Sequence, residues 1–264
     1  MHPEKPSDPT PRRVETPAGP VALTDVGAGP PVVALHGLPG SSRDFRWLGA
    51  AVEADLRFIR LELPGFGETP RRRSVARGAL VETVVRTLDA LGLDRAVLLA
   101  HSFSSGLVVS AAAEAPTRVA GVALIAPAGV RPHRGRRAFA IPPAVMAGTM
   151  ATPGLGPVVR RQVQGLFQKA GFRCSPAEVH QTISILARWR FADTAAAARA
   201  VRCPVFAAWA DDDAAIEPAV VEELLALVPT GPRLHFTEGG HNLQKSRATE
   251  IAEALIPWTR TVLS

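Results

Sequence analysis

The sequence predicts an α/β fold, in which a mostly parallel central sheet is flanked by helices and carries an inserted helical segment. Two observations predict it: apolar runs recur from about residue 21 onward, and segments with helical spacing lie between them. Continuous apolar runs are typical of strands that are covered on both faces, as in a parallel sheet. Strands that alternate with helices indicate right-handed crossover connections.

The predicted strands are short and bounded by turn residues, and they span 32–35, 56–61, 96–99, 119–125, 205–209 and 233–236. The predicted helices place apolar residues at three- and four-residue steps, and they span 74–91, 217–228 and 247–263. Such spacing gives a helix one apolar face that can pack on a sheet.

Residues 130–198 break the alternation, because they contain several prolines and two helical patterns, at 158–170 and 176–188, but no strand pattern. A connection of this length between two core strands is uncommon unless it has structure of its own. We therefore predict three parts. They are a flexible, polar, proline-rich tail at 1–18, a core at 19–129 and 199–264, and a helical cap at 130–198.

Composition and charge narrow the class of protein. The chain has 264 residues, of which 47% are apolar and 20% charged, and this suits one folded domain with an insertion. Its net charge of +6 comes mainly from arginine. The charge could attract anionic substrates, membranes or nucleic acid, but a basic surface without a dedicated partner is the favoured interpretation. Because no Lys/Arg run is interleaved with aromatic residues, we expect no nucleic-acid partner.

No metal or other cofactor is expected, because no C-x-x-C pair or His/Cys cluster has the spacing of a ligand set. Cys174 and Cys203 could pair, but Cys203 opens a predicted buried strand, where a free thiol packs as a small hydrophobe. The N-terminal segment lacks the apolar stretch of a signal peptide, and no apolar run reaches transmembrane length. We therefore expect a cytoplasmic protein without a membrane span. The sequence does not predict its oligomeric state.

The first chemical motif surrounds Ser102, which follows a predicted strand and precedes a predicted helix. Ala100 and Ser104, two positions before and after it, are small, as a tight strand-to-helix turn requires. This segment resembles the nucleophile elbow of α/β-hydrolases, G-x-S-x-G, with Ala100 and Ser104 at the glycine positions. The resemblance implies that Ser102 is the catalytic nucleophile. The alternative is that Ser102 only caps the following helix.

The second motif, His36-Gly37-Leu38-Pro39-Gly40, resembles the HG-x-P loop of capped α/β-hydrolases. The resemblance implies that the backbone N–H groups of Leu38 and Phe103 form an oxyanion hole. His36 is expected to hold this loop through hydrogen bonds. The segment from Glu62 to Gly67 resembles the family's D-x-P-G-F-G loop, with Glu62 in place of Asp.

Two further motifs supply an acid and a base. The segment from Trp209 to Asp213 resembles W-G-x-x-D, with Ala210 at the glycine position, and implies that Asp213 is the triad acid. The alternative is that the three acids of this loop are solvated or cap the next helix. His241 follows two glycines and resembles the family's catalytic base. The chain order Ser, Asp, His is that of α/β-hydrolases.

This resemblance covers nearly the whole chain outside the cap. It implies a capped, esterase-like serine hydrolase that cleaves small to medium carboxylic esters through an acyl-enzyme, with a small-molecule ester as its partner. Haloalkane dehalogenases and epoxide hydrolases carry Asp at the elbow, so Ser102 argues against both. Carbon–carbon bond hydrolases commonly have Asn before the serine and Trp after the histidine, where this chain has His101 and Asn242. That activity, a cofactor-free perhydrolase or acyltransferase, and a non-catalytic small-molecule receptor stay as alternatives.

The cap is expected to select the substrate through an apolar pocket. Its candidate lining residues are Phe139, Ile141, Val145, Met146, Met150, Leu155 and Leu166. A basic cluster at the start of the cap could instead attract an anionic ester, and it consists of Arg131, His133, Arg134, Arg136 and Arg137. Because burying an unpaired charge is costly, a solvated cluster is the favoured interpretation.

Overall fold

The computed structural model describes residues 6–72 and 74–264. Its described residues form one sheet of eight strands. In chain order they are β1 (Arg12–Val14), β2 (Val21–Val26), β3 (Pro31–Leu35), β4 (Arg57–Leu61), β5 (Ala96–His101), β6 (Val119–Ile125), β7 (Val205–Ala210) and β8 (Arg233–Phe236). Their spatial order is β1-β2-β4-β3-β5-β6-β7-β8.

Helices connect the strands and flank the sheet. In chain order they are α1 (Arg46–Val52), α2 (Arg77–Ala90), α3 (Ser105–Glu114), α4 (Arg134–Arg137), α5 (Pro143–Ala151), α6 (Leu155–Lys169), α7 (Pro176–Arg188), α8 (Phe191–Ala200), α9 (Pro218–Leu225), α10 (Leu243–Ser246) and α11 (Ala248–Leu263). Short 3-10 turns at Ser42–Phe45 and Ser102–Ser104 precede α1 and α3.

The sheet is parallel from β4 through β8 in spatial order, whereas β1 and β2 join it in antiparallel pairings. Alternate residues of β3 face opposite layers. Val33 and Leu35 pack in the core layer that includes α2, α3 and α9, while Val32 and Ala34 pack with α1 and α11. Apolar surface is thus buried on both faces, which explains the continuous apolar runs of the sequence. The predicted fold class is confirmed.

The N-terminal segment differs from the prediction of a flexible tail over residues 1–18. Within it, Arg12–Val14 form β1, which pairs with β2 at the edge of the sheet. Asp8 forms ion pairs with Arg43 at 3.1 Å and with Arg60 at 3.2 Å. Three residues are too few to show strand periodicity, and the charge pairs link segments far apart in sequence. Residues 1–5 of the predicted tail lie outside the described residues.

Five helices, α4 to α8, connect β6 to β7 in the region where the sequence predicts a cap. Helices α5, α6 and α7 pack together around a small apolar cluster centred on Met150, Val179 and Ile183. The predicted limits of the cap, 130 and 198, stay a prediction. Four of its predicted lining residues are more than half exposed, and these are Ile141, Val145, Leu155 and Leu166.

Within the described ranges, no helix combines the length and apolar character needed to cross a bilayer.

The ion pair of Asp8 provides a test of how the N-terminal segment contributes to stability. The Arg60 side chain is only 4% exposed, so Asp8→Asn leaves a desolvated guanidinium without its charged partner. We expect a loss of about 1–3 kcal/mol in the free energy of unfolding, measured by urea denaturation. The exposed Asp94 forms no ion pair among the described residues, so Asp94→Asn should change stability by less than about 0.5 kcal/mol. Equal effects of the two substitutions would contradict this account.

Candidate active site

The turn at Ser102 has an unusual backbone. Strand β5 ends at His101, Ser102 adopts a φ of +54°, and α3 begins three residues later at Ser105. A positive φ costs a non-glycine residue about 1–2 kcal/mol, so the surrounding contacts must hold it in place. The Ala128 N–H donates to the Ser102 carbonyl at 3.1 Å, and the Ser104 hydroxyl donates to the His36 carbonyl at 2.5 Å. Ser102 is partly accessible to solvent.

Two glycines allow this turn to pack closely against its neighbours. A Cβ on Gly37 would lie 3.0 Å from Nδ1 of His101 and 3.2 Å from Cβ of Ser102. A Cβ on Gly106 would lie 2.4 Å from the Trp189 ring. Neither site has room for a side chain, because contacts this short require a neighbour to move.

His241 connects the turn to an acidic side chain. Its Nε2 lies 2.9 Å from Oγ of Ser102, and its Nδ1 lies 2.8 Å from Oδ2 of Asp213. Because a carboxylate only accepts hydrogen bonds, Nδ1 carries the proton and donates it to Asp213. The bare Nε2 can then accept the hydrogen bond from the Ser102 hydroxyl. The structure therefore brings together the three residues predicted to form the triad.

Backbone N–H groups hold Asp213 in position. Its Oδ1 accepts hydrogen bonds from Ala215 N–H at 2.7 Å and Ile216 N–H at 2.9 Å, and the residue is 2% exposed. Burial alone would raise the pKa of Asp213, but the hydrogen bond and charge of His241 and these N–H groups outweigh it. The pKa therefore lies below its usual value, and the carboxylate stays ionised at neutral pH.

The neighbouring acids have other partners. Asp211 accepts a hydrogen bond from His235 at 2.7 Å. Asp212 accepts hydrogen bonds from the N–H groups of Gly239 and Gly240, and the shortest, from Gly240, is 2.7 Å. Asp212 thus anchors the loop that carries His241, while Asp213 binds the His241 ring itself.

His101 is a further candidate for a functional role, which the sequence motifs did not identify. Its Nε2 lies 2.9 Å from the His241 carbonyl, so that nitrogen carries the proton and donates it. Burial, with the nearby His241 ring, lowers the pKa of His101 to about 3, and the imidazole is therefore neutral. Its buried Nδ1 has no hydrogen-bond partner among the described residues. In the sequence, only the position next to Ser102 pointed to His101, because its hydrogen bond with His241 joins residues that are far apart in the chain.

The loop that carries Leu38 is fixed by His36, as the sequence predicts. His36 is fully buried, its Nδ1 donates to the Gly37 carbonyl at 2.7 Å, and its Nε2 accepts from Leu63 N–H at 3.1 Å. Burial lowers the pKa of His36, which keeps the ring neutral. Glu62 is also buried and accepts hydrogen bonds from the hydroxyl and N–H of Ser42.

The two predicted oxyanion donors are unpaired backbone groups. Among the described residues the Leu38 N–H makes no hydrogen bond. The Phe103 N–H lies in the first turn of the 3-10 segment, where N–H groups have no partner within the helix. The Phe103 ring packs edge-on against Trp189, with 4.5 Å between the ring centroids, which fixes the Phe103 side chain next to Ser102. Their role as an oxyanion hole stays a prediction.

Helix α4 is bound to the loop that carries Asp213. The Arg134 guanidinium donates to the Asp213 carbonyl at 2.9 Å, and Gly135 N–H donates to the Ala215 carbonyl at 2.8 Å. Glu217 accepts from Arg134 N–H at 2.7 Å and pairs with Arg137. Although burial acts to raise the pKa of Glu217, these two partners lower it to about 2.

Arg131 also pairs with a carboxylate, that of Glu223, at 2.8 Å. Arg131, Arg134 and Arg137 therefore bind the segment 213–223. The sequence did not predict these contacts, because they link residues about 80 to 90 apart, and Arg134 and Arg137 are exposed, as residues of a solvated cluster would be.

We expect Arg134→Met to lower kcat/KM for an ester, because it removes the hydrogen bond to the Asp213 carbonyl. One such bond contributes about 1 kcal/mol, which corresponds to about a fivefold loss. Arg134→Lys, which retains a donor, should restore part of it. The control is Arg131→Met, which removes a pair to α9 and should leave kcat/KM within about twofold, since exposed ion pairs contribute little. Equal losses in both Met variants would contradict a specific role for Arg134.

Comparison with known proteins also indicates the α/β-hydrolase fold. A family model described as the α/β hydrolase fold matches residues 30–155. A segment of 105 residues is 38% identical to the dihydrolipoyllysine-residue acetyltransferase component of the acetoin cleaving system of Pseudomonas putida, and covers 39% of this chain and 28% of that protein. A segment of 113 residues is 37% identical to 2-hydroxy-6-oxo-2,4-heptadienoate hydrolase of Pseudomonas putida, and covers 41% of each chain. The chain thus spans less than half the length of these two relatives.

Among solved structures, a thermophilic esterase from Thermogutta terrifontis superposes with a TM-score of 0.77 at 20% identity, over 97% of this chain and 100% of the esterase. At this level of identity the likeness concerns the fold, which agrees with the sheet order, the turn at Ser102 and the matched family. The chain therefore has the α/β-hydrolase fold.

Proposed function

We propose that this protein is a serine hydrolase that cleaves small to medium carboxylic esters through an acyl-enzyme intermediate. The observation that carries the proposal is the continuous hydrogen-bonded chain from Ser102 through His241 to Asp213. An imidazole whose Nδ1 proton is held by a buried carboxylate has its Nε2 free to take the serine proton. This is the arrangement that activates a hydroxyl as a nucleophile.

In the acylation step, Oγ of Ser102 attacks the ester carbonyl carbon while Nε2 of His241 takes the hydroxyl proton. The carbonyl oxygen becomes an oxyanion, which accepts hydrogen bonds from the N–H groups of Leu38 and Phe103. The C–O bond then breaks, and His241 gives its proton to the departing alcohol. The acyl group is left on Ser102.

In the deacylation step, His241 takes a proton from water, and the resulting hydroxide attacks the acyl carbon. Collapse of this second tetrahedral intermediate breaks the bond to Oγ, and His241 returns the proton to Ser102. The carboxylic acid leaves. Asp213, ionised throughout, stabilises the imidazolium that forms in each step, and its backbone contacts keep the carboxylate aligned with Nδ1.

The relatives give a specific reason to consider a second activity. One of them is a 2-hydroxy-6-oxo-2,4-heptadienoate hydrolase, 37% identical over 113 residues, so carbon–carbon bond hydrolysis is the second candidate. His101 and Asn242 argue against it, because they replace the Asn and Trp that are common in that group. An acyltransferase would use the same acyl-enzyme with an acceptor other than water.

We expect turnover of p-nitrophenyl esters with a maximum at short or medium neutral acyl chains. Ser102→Ala should lower kcat by at least about a thousandfold, as for the loss of a triad nucleophile elsewhere. Ser105→Ala is the matched control, because Ser105 is a serine three residues further along whose buried hydroxyl has no partner among the described residues. It should retain activity within a few-fold.

Several results would contradict this proposal. They are equal rates in Ser102→Ala and the wild-type protein, no turnover across the ester series, or turnover restricted to a vinylogous 1,5-diketone. The last would identify the carbon–carbon bond hydrolase instead. A strong preference for anionic esters that weakens with ionic strength would contradict the neutral substrate class.

A further inference from the structure

The cap exposes an unusual amount of apolar surface. Six large apolar side chains are exposed in the described part of the chain, and all of them lie between residues 141 and 172. They are Ile141, Val145, Leu155, Val158, Leu166 and Phe172. We define them as the cap patch. Large exposed apolar patches are rare on monomers unless they bind something, so this concentration of exposed side chains in one segment points to a binding surface.

Helix α6 shows how the cap patch arises. At about 100° per residue, Leu155, Val158 and Leu166 lie within an arc of roughly 80° on its outer side. The adjacent Val163 and Phe167 face inward and pack on the cluster around Met150. The helix therefore has more apolar surface than its neighbours α5 and α7 cover.

The sequence that carries the cap patch contains basic but no acidic residues over a long stretch. Between Glu114 and Glu178 the sequence contains no Asp or Glu. Three basic residues lie on the outer part of α6 or just after it, namely Arg161, Lys169 and Arg173, whereas Arg160 lies on the other side of α6, where its Nε donates to the Gly156 carbonyl. None of them forms an ion pair within the ranges 6–72 and 74–264. They differ in this respect from Arg131, Arg134 and Arg137 at the start of the cap.

We propose that the cap patch, with Arg161, Lys169 and Arg173, binds the surface of an anionic phospholipid bilayer. Apolar side chains flanked by Lys and Arg on one face of a helix are suited to the boundary between acyl chains and anionic headgroups. A second copy of this chain would fit less well, because it would place the same uncompensated positive charges against each other. The proposal does not depend on the esterase activity, since it uses no residue of the Ser102 site.

The test is sedimentation of the full chain with vesicles of phosphatidylcholine, with and without phosphatidylglycerol. We expect at least about tenfold stronger partitioning into the vesicles that contain phosphatidylglycerol, since each basic residue near an anionic surface contributes on the order of fivefold. The partitioning should fall as the salt concentration rises, because salt screens these charges.

Two double variants separate the apolar and the charged contributions. Leu155→Ser with Leu166→Ser, and Arg161→Glu with Lys169→Glu, should each weaken the partitioning by at least about tenfold. The matched control is Arg199→Glu with Arg202→Glu, which makes the same change in net charge at exposed positions outside the cap patch. It should leave partitioning within about twofold, and unfolding temperatures show that each variant is folded.

Equal partitioning into both kinds of vesicle, or an equal loss in the Arg199 and Arg202 control, would overturn the proposal. The absence of vesicle binding would also overturn the proposal, whether or not the protein forms a dimer that the double variant Leu155→Ser with Leu166→Ser dissociates. A dimer of that kind would identify a second copy as the occupant.

Discussion

At Ser102 the backbone leaves a buried strand, adopts a φ of +54° and enters a helix within three residues. This close packing constrains the rest of the site. Gly37 and Gly106 lie where a side chain would collide with His101, Ser102 or Trp189. The Ser104 hydroxyl holds the His36 loop. The contacts that stabilise the strained turn therefore also hold the loop of Leu38 beside Ser102, so one set of contacts both stabilises the turn and aligns the loop.

Asp213 and His241 reach the turn at Ser102 because parallel strands end at the same edge of the sheet. Strand β7 leads into the loop of Asp213, and β8 leads into the loop of His241. Asp212 joins these loops through the N–H groups of Gly239 and Gly240. These hydrogen bonds join side-chain carboxylates to backbone N–H groups, so substitution of Asp212 would remove the link between the two loops. Arg134 adds a further contact, since its side chain binds the Asp213 carbonyl from the region predicted as the cap.

The sequence predicted the fold class because apolar runs report burial directly, and it selected Ser102, Asp213 and His241 because each follows a strand in a recognisable local pattern. Contacts between distant segments leave no local pattern. The hydrogen bond from His101 to the His241 carbonyl spans 140 residues, and Arg134 meets Asp213 across 79. The short β1 was missed because Arg12–Val14 shows no alternation. Helical spacing predicted the apolar faces of the cap, but not which of them a neighbouring helix would leave exposed.

The proposed role of Ser102 as a nucleophile depends on the turn, His241 and Asp213 acting together. Mass spectrometry of the protein mixed with p-nitrophenyl butyrate and quenched in acid during turnover tests this role. We expect one added butyryl group, located on the peptide that contains Ser102 and absent when Ser102 is replaced by alanine. Ester turnover with an unmodified Ser102 peptide at every quench time, or a butyryl group on another residue that persists in Ser102→Ala, would contradict it.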